Sequence, residues 1–495
     1  MGVIQRQSIK NSLVNYLGVA IGAFSVIFIY PLITKEDLGA IQFALGVAIL
    51  FAPIAGLALN MTTVRFFPQF RDDNKQHNGF LFLLIAATAL STSLFAVIVY
   101  AFREPISNFF YNDKQLFLNI LPYILVFTAL VALGNLLQSY TALFNRIVVP
   151  ALFQNLLIKL AQPVLVFLFS LGLISFATVY KGMGLALALM VLGLIGYLFI
   201  LKQFHLKPQF DAQKKPLFRE MLNYSGFNIT VVLGGVMAQK VDALLIPPLL
   251  GFGALAVFSI PSFIAEAIDV PRKALSSIST PLISEAIAAN DMAKVGDIYR
   301  QSALLQLIVG AFLLTGVWVC ADALFDLMPK NGDVYRTGKN IILILGLARL
   351  VDMATGPNAE ILSLSSLYRF NFVSFLALAI LNLGFNFLFI KGFNLGIEGS
   401  ALATLLSIAI INTWRLRFIY RKMHIQPLQT KMLYPILAGL VAVLLVCATP
   451  SVSNPFLSIL IRGSIVTAVF TFIMVYFKVS PHIDAYAEKI KAWRP

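Results

Sequence analysis

Long apolar runs separated by short polar connections follow one another along almost the whole chain. A helix that crosses a membrane needs roughly 20 mostly apolar residues, and the runs have about that length. The pattern predicts an all-α integral membrane protein with fourteen transmembrane helices. We expect them at residues 12–33, 39–64, 79–102, 116–143, 149–173, 183–201, 222–249, 252–271, 300–321, 339–365, 370–390, 396–414, 432–449 and 455–477.

The composition agrees with this pattern, since 59% of the residues are hydrophobic and only 12% are charged. Such values lie outside the range of soluble globular domains. The two cysteines, Cys320 and Cys447, lie in apolar runs and have neither a disulfide framework nor the spacing of a metal site. The first run lacks a cleavage site of the A-x-A kind, so we expect a retained helix instead of a signal peptide.

The net charge of +15 at first suggests a nucleic-acid partner, but the distribution of the basic residues argues against one. If the N-terminus lies in the cytoplasm, Lys and Arg on the inner side outnumber those on the outer side roughly three to one, as the positive-inside rule expects. The even number of helices then places both termini in the cytoplasm. The basic charge is therefore explained by membrane orientation, and no nucleic acid is expected.

The chain also contains an internal repeat. Matching stretches occur in the same order in both halves: NYLG (15–18) with NYSG (223–226), 30–44 with 246–260, 135–146 with 358–369, and 181–189 with 396–404. Both copies start on the inner side, so the repeat is parallel, a plan known from transporters whose substrate site lies near the midplane. We expect an N-lobe at 1–205, a C-lobe at 206–425 and appended helices with a cytoplasmic tail at 426–495.

The stretch YPLITKEDLGAIQFALGVAILFAPIAGLALNMTTVRFFPQF (30–70) resembles the first hairpin of the polysaccharide, or O-antigen, flippases. These proteins belong to the multidrug/oligosaccharidyl-lipid/polysaccharide exporter superfamily. The small–apolar starts of helices 6 and 12 and the aspartate of helix 7 fit the same family. The resemblance implies a V-shaped bundle in the bacterial inner membrane that moves undecaprenyl-pyrophosphate-linked oligosaccharides from the cytoplasmic to the outer leaflet by alternating access.

The charges of the chain depart from the family pattern in two places. Family members often carry a basic residue directly after the helix 7 aspartate, whereas here Ala243 follows Asp242 and the basic residue is Lys240. Family members also often carry a basic residue in the outer part of helix 1, where this chain reads IFIYPLIT. The charge pattern of the central cavity is therefore expected to be specific to this protein.

Ionisable residues inside membrane spans are costly and often functional. The apolar runs contain nine of them: Lys159, Lys240, Asp242, Glu266, Asp269, Arg349, Asp352, Glu360 and Arg462. At the helical rise per residue, Lys159, Lys240 and Arg349 each lie roughly 15 Å from the nearest helix end, close to the midplane. Three cations at that depth offset the charge of a pyrophosphate, which is prohibitively expensive to move bare through hydrocarbon. We expect these three residues to bind it.

Several of these charges have structural explanations as well. Arg349 and Asp352 are three positions apart and are able to neutralise each other, and Asp269 has Arg272 and Lys273 at the same kind of spacing. Glu360 is expected to be hydrated near the inner end of its helix, and Arg462 to extend toward the membrane surface. Lys240 and Asp242 differ, because two positions turn the helix by about 200° and prevent a direct pair.

Asp242 is a deep carboxylate without a basic residue three or four positions away. It is our candidate for coupling transport to H⁺ or Na⁺, and a structural ion pair with another helix is the alternative. Asn15, Gln138, Asn155 and Asn228 are candidates for the polar lining that a glycan needs, although such amides also bond to backbone or to neighbouring helices.

Other functions remain open at this stage. A lipid II flippase and a multidrug or cation extruder of the same superfamily are close alternatives, although residues 11–33 lack the acid that extruders often carry. A membrane-embedded glycan polymerase or ligase is an alternative of another class, but no outer connection is long enough for a catalytic domain. We expect a monomeric transporter and not an enzyme, and we expect neither a cofactor nor a metal. Membrane lipids are its expected contacts, and other glycan-assembly proteins are further candidate partners.

Overall fold

The computed structural model describes residues 17–72, 77–110, 113–144, 146, 148–207, 215–450 and 452–479. All regular secondary structure in these residues is helical, and each of the fourteen apolar runs falls on a helix. In chain order these are α1 (Leu17–Leu32), α2 (Lys35–Ala55 and Leu59–Phe70), α3 (Phe80–Ala101), α4 (Lys114–Ala142), α5 (Val148–Leu152, Phe153–Leu157 and Ile158–Ser170), α6 (Phe176–Ile200), α7 (Lys215–Leu250), α8 (Phe252–Glu266 and Asp269–Ala288), α9 (Met292–Asp326), α10 (Lys339–Ala354 and Asn358–Leu364), α11 (Tyr368–Phe387), α12 (Gly396–Met423), α13 (Leu433–Cys447) and α14 (Pro455–Tyr476).

The lengths and compositions of these helices confirm a membrane-spanning all-α fold. Within the described residues, nine helices are long and apolar enough to cross a membrane, and the count rises to eleven if α8 and α10 each form one bent span. The first helix, α1, and the last part of α5 are shorter apolar helices. A total of fourteen crossings stays a prediction.

Two spans are bent by more than 40° at a break, which the hydrophobic pattern did not predict. The two parts of α8 meet at 46° and the two parts of α10 at 47°. The break in α10 falls on Thr355-Gly356-Pro357, where Gly356 has a φ of +60°. Because Pro357 has no N–H and disfavours a helical residue before it, the helix stops there and restarts at Asn358.

The inner end of α8 was predicted to stop near residue 271, and helix 9 to begin near 300. Instead, the second part of α8 continues to Ala288 and α9 begins at Met292. Most charged residues of these extensions are exposed, while Ser279, Ile283 and Ala286 are buried on one face. The segment is therefore amphipathic helix, and its charges had made it resemble a loop.

Contacts divide the chain into two compact units, Met1–Ala256 and Val257–Pro495. In the first unit, α2 packs on α4 and on α7, and α4 packs on α6. The division predicted from the repeat, with boundaries at 205 and 425, stays a prediction, because contacts in one conformation do not report which helices are copies of each other.

In the second unit, α9 is surrounded by its neighbours. The helices α13 and α14, which lie outside the repeat, pack on each other and on α9. Their shared core includes Ala438, Ala442, Val466 and Phe470. The appended pair is thus an integral part of this unit.

Candidate functional site

A cluster of charged side chains lies inside the second unit, where the second part of α8 meets α10. Asp269 is the first residue of that part of α8, so Arg272 and Lys273 fall on the same helix face one turn later. The Arg272 guanidinium donates to both oxygens of Asp269, with Nε–Oδ1 at 2.5 Å and Nη2–Oδ2 at 3.3 Å. Lys273 Nζ lies 3.2 Å from Asp269 Oδ2. The ion pairs that this spacing suggested are present.

Arg272 also joins the two broken helices. Its Nε lies 3.5 Å from Oδ2 of Asp352, which is near the end of the first part of α10. One guanidinium therefore serves a carboxylate on each side. The predicted eighth helix ended at residue 271, just before Arg272, and the longer α8 includes Arg272.

A chain of amides extends the cluster to α12. Asn412 Nδ2 donates to Asp352 Oδ1 at 3.1 Å, and Asn358 Nδ2 donates to Asn412 Oδ1 at 2.7 Å. Asn358 and Asn412 are 2% exposed, so their polar groups rely on each other in place of water. Both oxygens of Asp352 thus have partners that come from other helices.

Arg349 lies one helical turn before Asp352 on α10 and does not pair with it. Among the described residues Arg349 makes no hydrogen bond and no ion pair, although its charge acts on Asp269. The half-buried guanidinium therefore keeps its donors for other groups. The mutual neutralisation of Arg349 and Asp352, which their spacing allowed, is not what the structure shows.

Arg415 is a further cation of this region that the sequence analysis missed. It is 4% exposed, donates from Nε to Ser374 Oγ at 2.8 Å, and lies with Cζ 4.5 Å from the centre of the Phe375 ring. Its Nη2 has no hydrogen-bond partner within the described residues. The predicted helix 12 ended at residue 414, whereas α12 runs to Met423. The sequence does contain a signal, because small and polar residues recur at intervals of three to five positions from Ser400 to Arg415.

The cluster has one positive charge in excess. Its members are four cations and three carboxylates: Arg272, Lys273, Arg349, Arg415, Asp269, Asp352 and Glu360. Within the described residues, the two aspartates are engaged by other side chains and Arg349 is not. A site of this kind is suited to an anion, since charge-assisted hydrogen bonds from Arg are strong and geometrically matched to phosphate oxygens.

Three other predicted charges belong to the first unit. Lys159 lies on α5 with an exposed side chain, and Lys240 and Asp242 are half-buried on α7. Lys159 and Asp242 each interact with a neighbouring group. Lys240 makes no hydrogen bond or ion pair with any described residue. The role of these three residues stays a prediction.

The predicted glycan-lining residues are placed as follows. Asn15 lies outside the described residues, as does the side chain of Asn155, whose backbone belongs to α5. Gln138 is half-buried on α4. Asn228 is 8% exposed and donates to the carbonyl of Tyr224 at 2.9 Å, so one of its donors serves its own helix. These roles also stay predictions.

Arg462 on α14 has a structural role. Its Nη1 donates to the carbonyl of Val319 on α9 at 2.8 Å. It was expected to extend toward the membrane surface, and instead it ties α14 to its neighbour. Among the described residues there is no group of three or more His, Cys, Asp or Glu arranged to hold a metal ion.

Two family models match the sequence. The model described as polysaccharide biosynthesis protein matches residues 5–287, and the model MatE matches residues 229–388. The first match covers more than half of the chain. No curated protein sequence matches.

Several solved structures are similar in fold. One is titled lipid II flippase MurJ, inward closed conformation; it has 17% identity and a TM-score of 0.72, with 95% of this chain and 98% of that chain covered. Another is titled an inward-facing multidrug resistance MATE family transporter of the MOP superfamily. It has 14% identity and a TM-score of 0.63, with 86% of this chain and 98% of that chain covered. The resemblance found in the sequence and the fold class are thereby confirmed.

Proposed function

The chain belongs to the polysaccharide biosynthesis protein family, and on that premise we propose that it is a flippase for lipid-linked oligosaccharides. The cargo is an oligosaccharide on undecaprenyl pyrophosphate, moved from the cytoplasmic to the outer leaflet of the bacterial inner membrane by alternating access. The description of the matched family supports a glycan as part of the cargo. The similarity in fold to proteins titled flippase or transporter supports movement across a membrane instead of catalysis.

The observation that carries the proposal is the state of Arg349. A guanidinium inside a membrane span is costly unless it is paired, yet Arg349 has no hydrogen bond or ion pair among the described residues, while Asp269 and Asp352 beside it are bound by Arg272, Lys273 and Asn412. An anionic headgroup satisfies such a residue. A pyrophosphate offers oxygens that fit its planar donors.

Lys159 and Lys240 are proposed as further cations that meet the headgroup during its passage. Their support is the depth of both residues along their helices and the absence of a described partner for Lys240. The glycan needs polar contacts, for which Asn15, Gln138, Asn155 and Asn228 remain the candidates. The prenyl chain stays in the lipid, where its burial costs nothing.

The test uses the purified protein in liposomes with a synthetic polyprenyl-pyrophosphate oligosaccharide that carries a fluorophore. Arg349→Ala removes the donors and is expected to slow flipping by about tenfold or more. Arg349→Lys keeps the charge without the planar fork, so partial activity is expected. Arg300→Ala is the matched control, because Arg300 is exposed and pairs with Asp297 on its own helix.

If Arg349 served only Asp352, the double change Arg349→Ala with Asp352→Ala would restore flipping. Recovery in that double variant, or a wild-type rate in Arg349→Ala, refutes the assignment. Lipid II and an oligosaccharide lipid both carry a pyrophosphate, so the same liposomes loaded with each of them decide between the two cargoes. If the cargo were a cationic drug, Arg349→Ala would remove a repelling positive charge. Transport by this variant would then be faster than by the wild type.

Asp242 is proposed as the group that couples flipping to a gradient of H⁺ or Na⁺. The support is a half-buried carboxylate on α7 that has no basic residue three or four positions away. Asp242→Asn keeps the shape and removes the charge. We expect the flipping rate of this variant to lose its dependence on the imposed gradient. A full response to both gradients would identify Asp242 as part of a structural pair instead.

A further inference from the structure

The break in α2 contains an unusual backbone. Leu57 and Ala58 are consecutive non-glycine residues with φ of +53° and +46°, in the left-handed region that side chains with a Cβ normally avoid. The break lies four residues after Pro53, whose carbonyl accepts a hydrogen bond from the Ala58 N–H at 2.7 Å. Such strain persists only where the surrounding structure holds it, and it is common at switch regions.

The group that holds the break comes from α7. The hydroxyl of Ser225 donates to the carbonyl of Leu57, and Ser225 is 2% exposed. Since the helix is interrupted at Leu57, this carbonyl is one that the helical ladder does not use. The only described side chain that caps the strained turn therefore belongs to a different helix.

The same face of α7 follows the inner part of α2 beyond the break. The ring of Tyr224 lies 4.2 Å from Arg65 Cζ, and Arg65 Nη2 lies 3.7 Å from Glu220 Oε1. Both charged side chains are more than half exposed, so their pair contributes little to holding the helices together. This seam between α2 and α7 is thus held by apolar and aromatic packing together with the contact at the break.

We propose that the break in α2 is a strained switch, latched by Ser225, that becomes continuous helix when α7 moves away. With Ser225 bonded to Leu57, the broken form of α2 is stabilised and the seam is closed. When that bond is lost, the left-handed strain at two residues favours a continuous helix. The switch thereby couples the shape of α2 to the position of α7.

The experiment measures how often the seam opens. Met221 is 5% exposed and lies on α7 between Phe218, whose ring faces Phe70 of α2, and Ser225. In a protein with Cys320→Ser and Cys447→Ser, the added change Met221→Cys gives a thiol that N-ethylmaleimide reaches only when the seam opens. The rate of alkylation in membranes is the readout.

Leu57→Gly removes strain from the broken form and weakens the continuous helix, because glycine tolerates the left-handed region and is a poor helix former. We expect alkylation to slow by about tenfold while the melting temperature rises. Ser225→Ala removes the latch and should speed alkylation about fivefold. Lys202→Gly is the matched control: Lys202 also has a left-handed backbone, with φ of +56°, but lies at the end of α6, so the alkylation rate should stay unchanged.

An unchanged or faster alkylation rate in Leu57→Gly overturns the switch. An unchanged rate in folded Ser225→Ala overturns the latch. If Ser225→Ala does not accumulate, Leu57→Gly still decides, because it is expected to stabilise the protein. If the break has only a structural role, Leu57→Gly raises the melting temperature without changing the alkylation rate.

Discussion

At the scale of single residues, spacing along one helix predicted contacts well and contacts between helices poorly. The helical turn predicted ion pairs of Asp269 with Arg272 and with Lys273, and both pairs are present. The partners of Asp352 come from α8 and α12, which no sequence spacing indicates. For the same reason the lack of a described partner at Arg349 became visible only in the structure.

The pair of Asp269 and Arg272 permits a sharp prediction at this scale. Asp269 is 3% exposed, so Asp269→Asn removes the closer of the two carboxylates that pair with the Arg272 guanidinium. Breaking a buried pair by removing one charge costs about 3 kcal/mol or more. We expect a clear fall in the melting temperature of the detergent-solubilised protein.

The control for this change is Asp297→Asn. Asp297 pairs with Arg300 at the same spacing, but both side chains are about half exposed, and pairs of that kind contribute about 0–1 kcal/mol. Equal shifts in melting temperature for the two variants would show that the buried pair adds no more stability than the exposed pair, which would contradict the prediction.

At the scale of helices, hydrophobic periodicity predicted where helices exist but not where they break. Pro122 lies inside the continuous helix α4, whereas Gly356-Pro357 interrupts α10. The difference is physical: Gly356 takes a left-handed backbone, and a Cβ there would come within 2.8 Å of Ala303 on α9. A break in a helix therefore depends on the neighbouring helix that packs against it, and the local sequence does not indicate which helix that is.

The inner ends of two helices were predicted too early. Charged residues of the second part of α8 and of α12 made these segments resemble loops, and the predicted helices ended too early. One buried face is enough to keep such a segment helical, since the other face meets water. Arg415, a central member of the charge cluster, was missed because the predicted helix 12 ended one residue before it.

At the scale of the whole molecule, the family and the helical fold were predictable because both rest on composition and on patterns spread over the entire chain. The orientation in the membrane rests on charge counts alone. With the N-terminus in the cytoplasm, the turn between α8 and α9 lies inside and the turn between α11 and α12 lies outside. This arrangement is open to a direct test.

Asn290 and Asn394 form a matched pair for that test. They lie in these two turns, both are exposed, and their φ values are +55° and +53°. A cysteine at either site thus sits in the same local conformation, in a protein with Cys320→Ser and Cys447→Ser. Because the positive-inside rule places Asn394 outside, a membrane-impermeant maleimide should label Asn394→Cys in intact cells. It should label Asn290→Cys only after the membrane is opened. The reverse labelling pattern would mean that the protein has the opposite orientation in the membrane. Labelling of both sites in intact cells would contradict the predicted number of crossings between them.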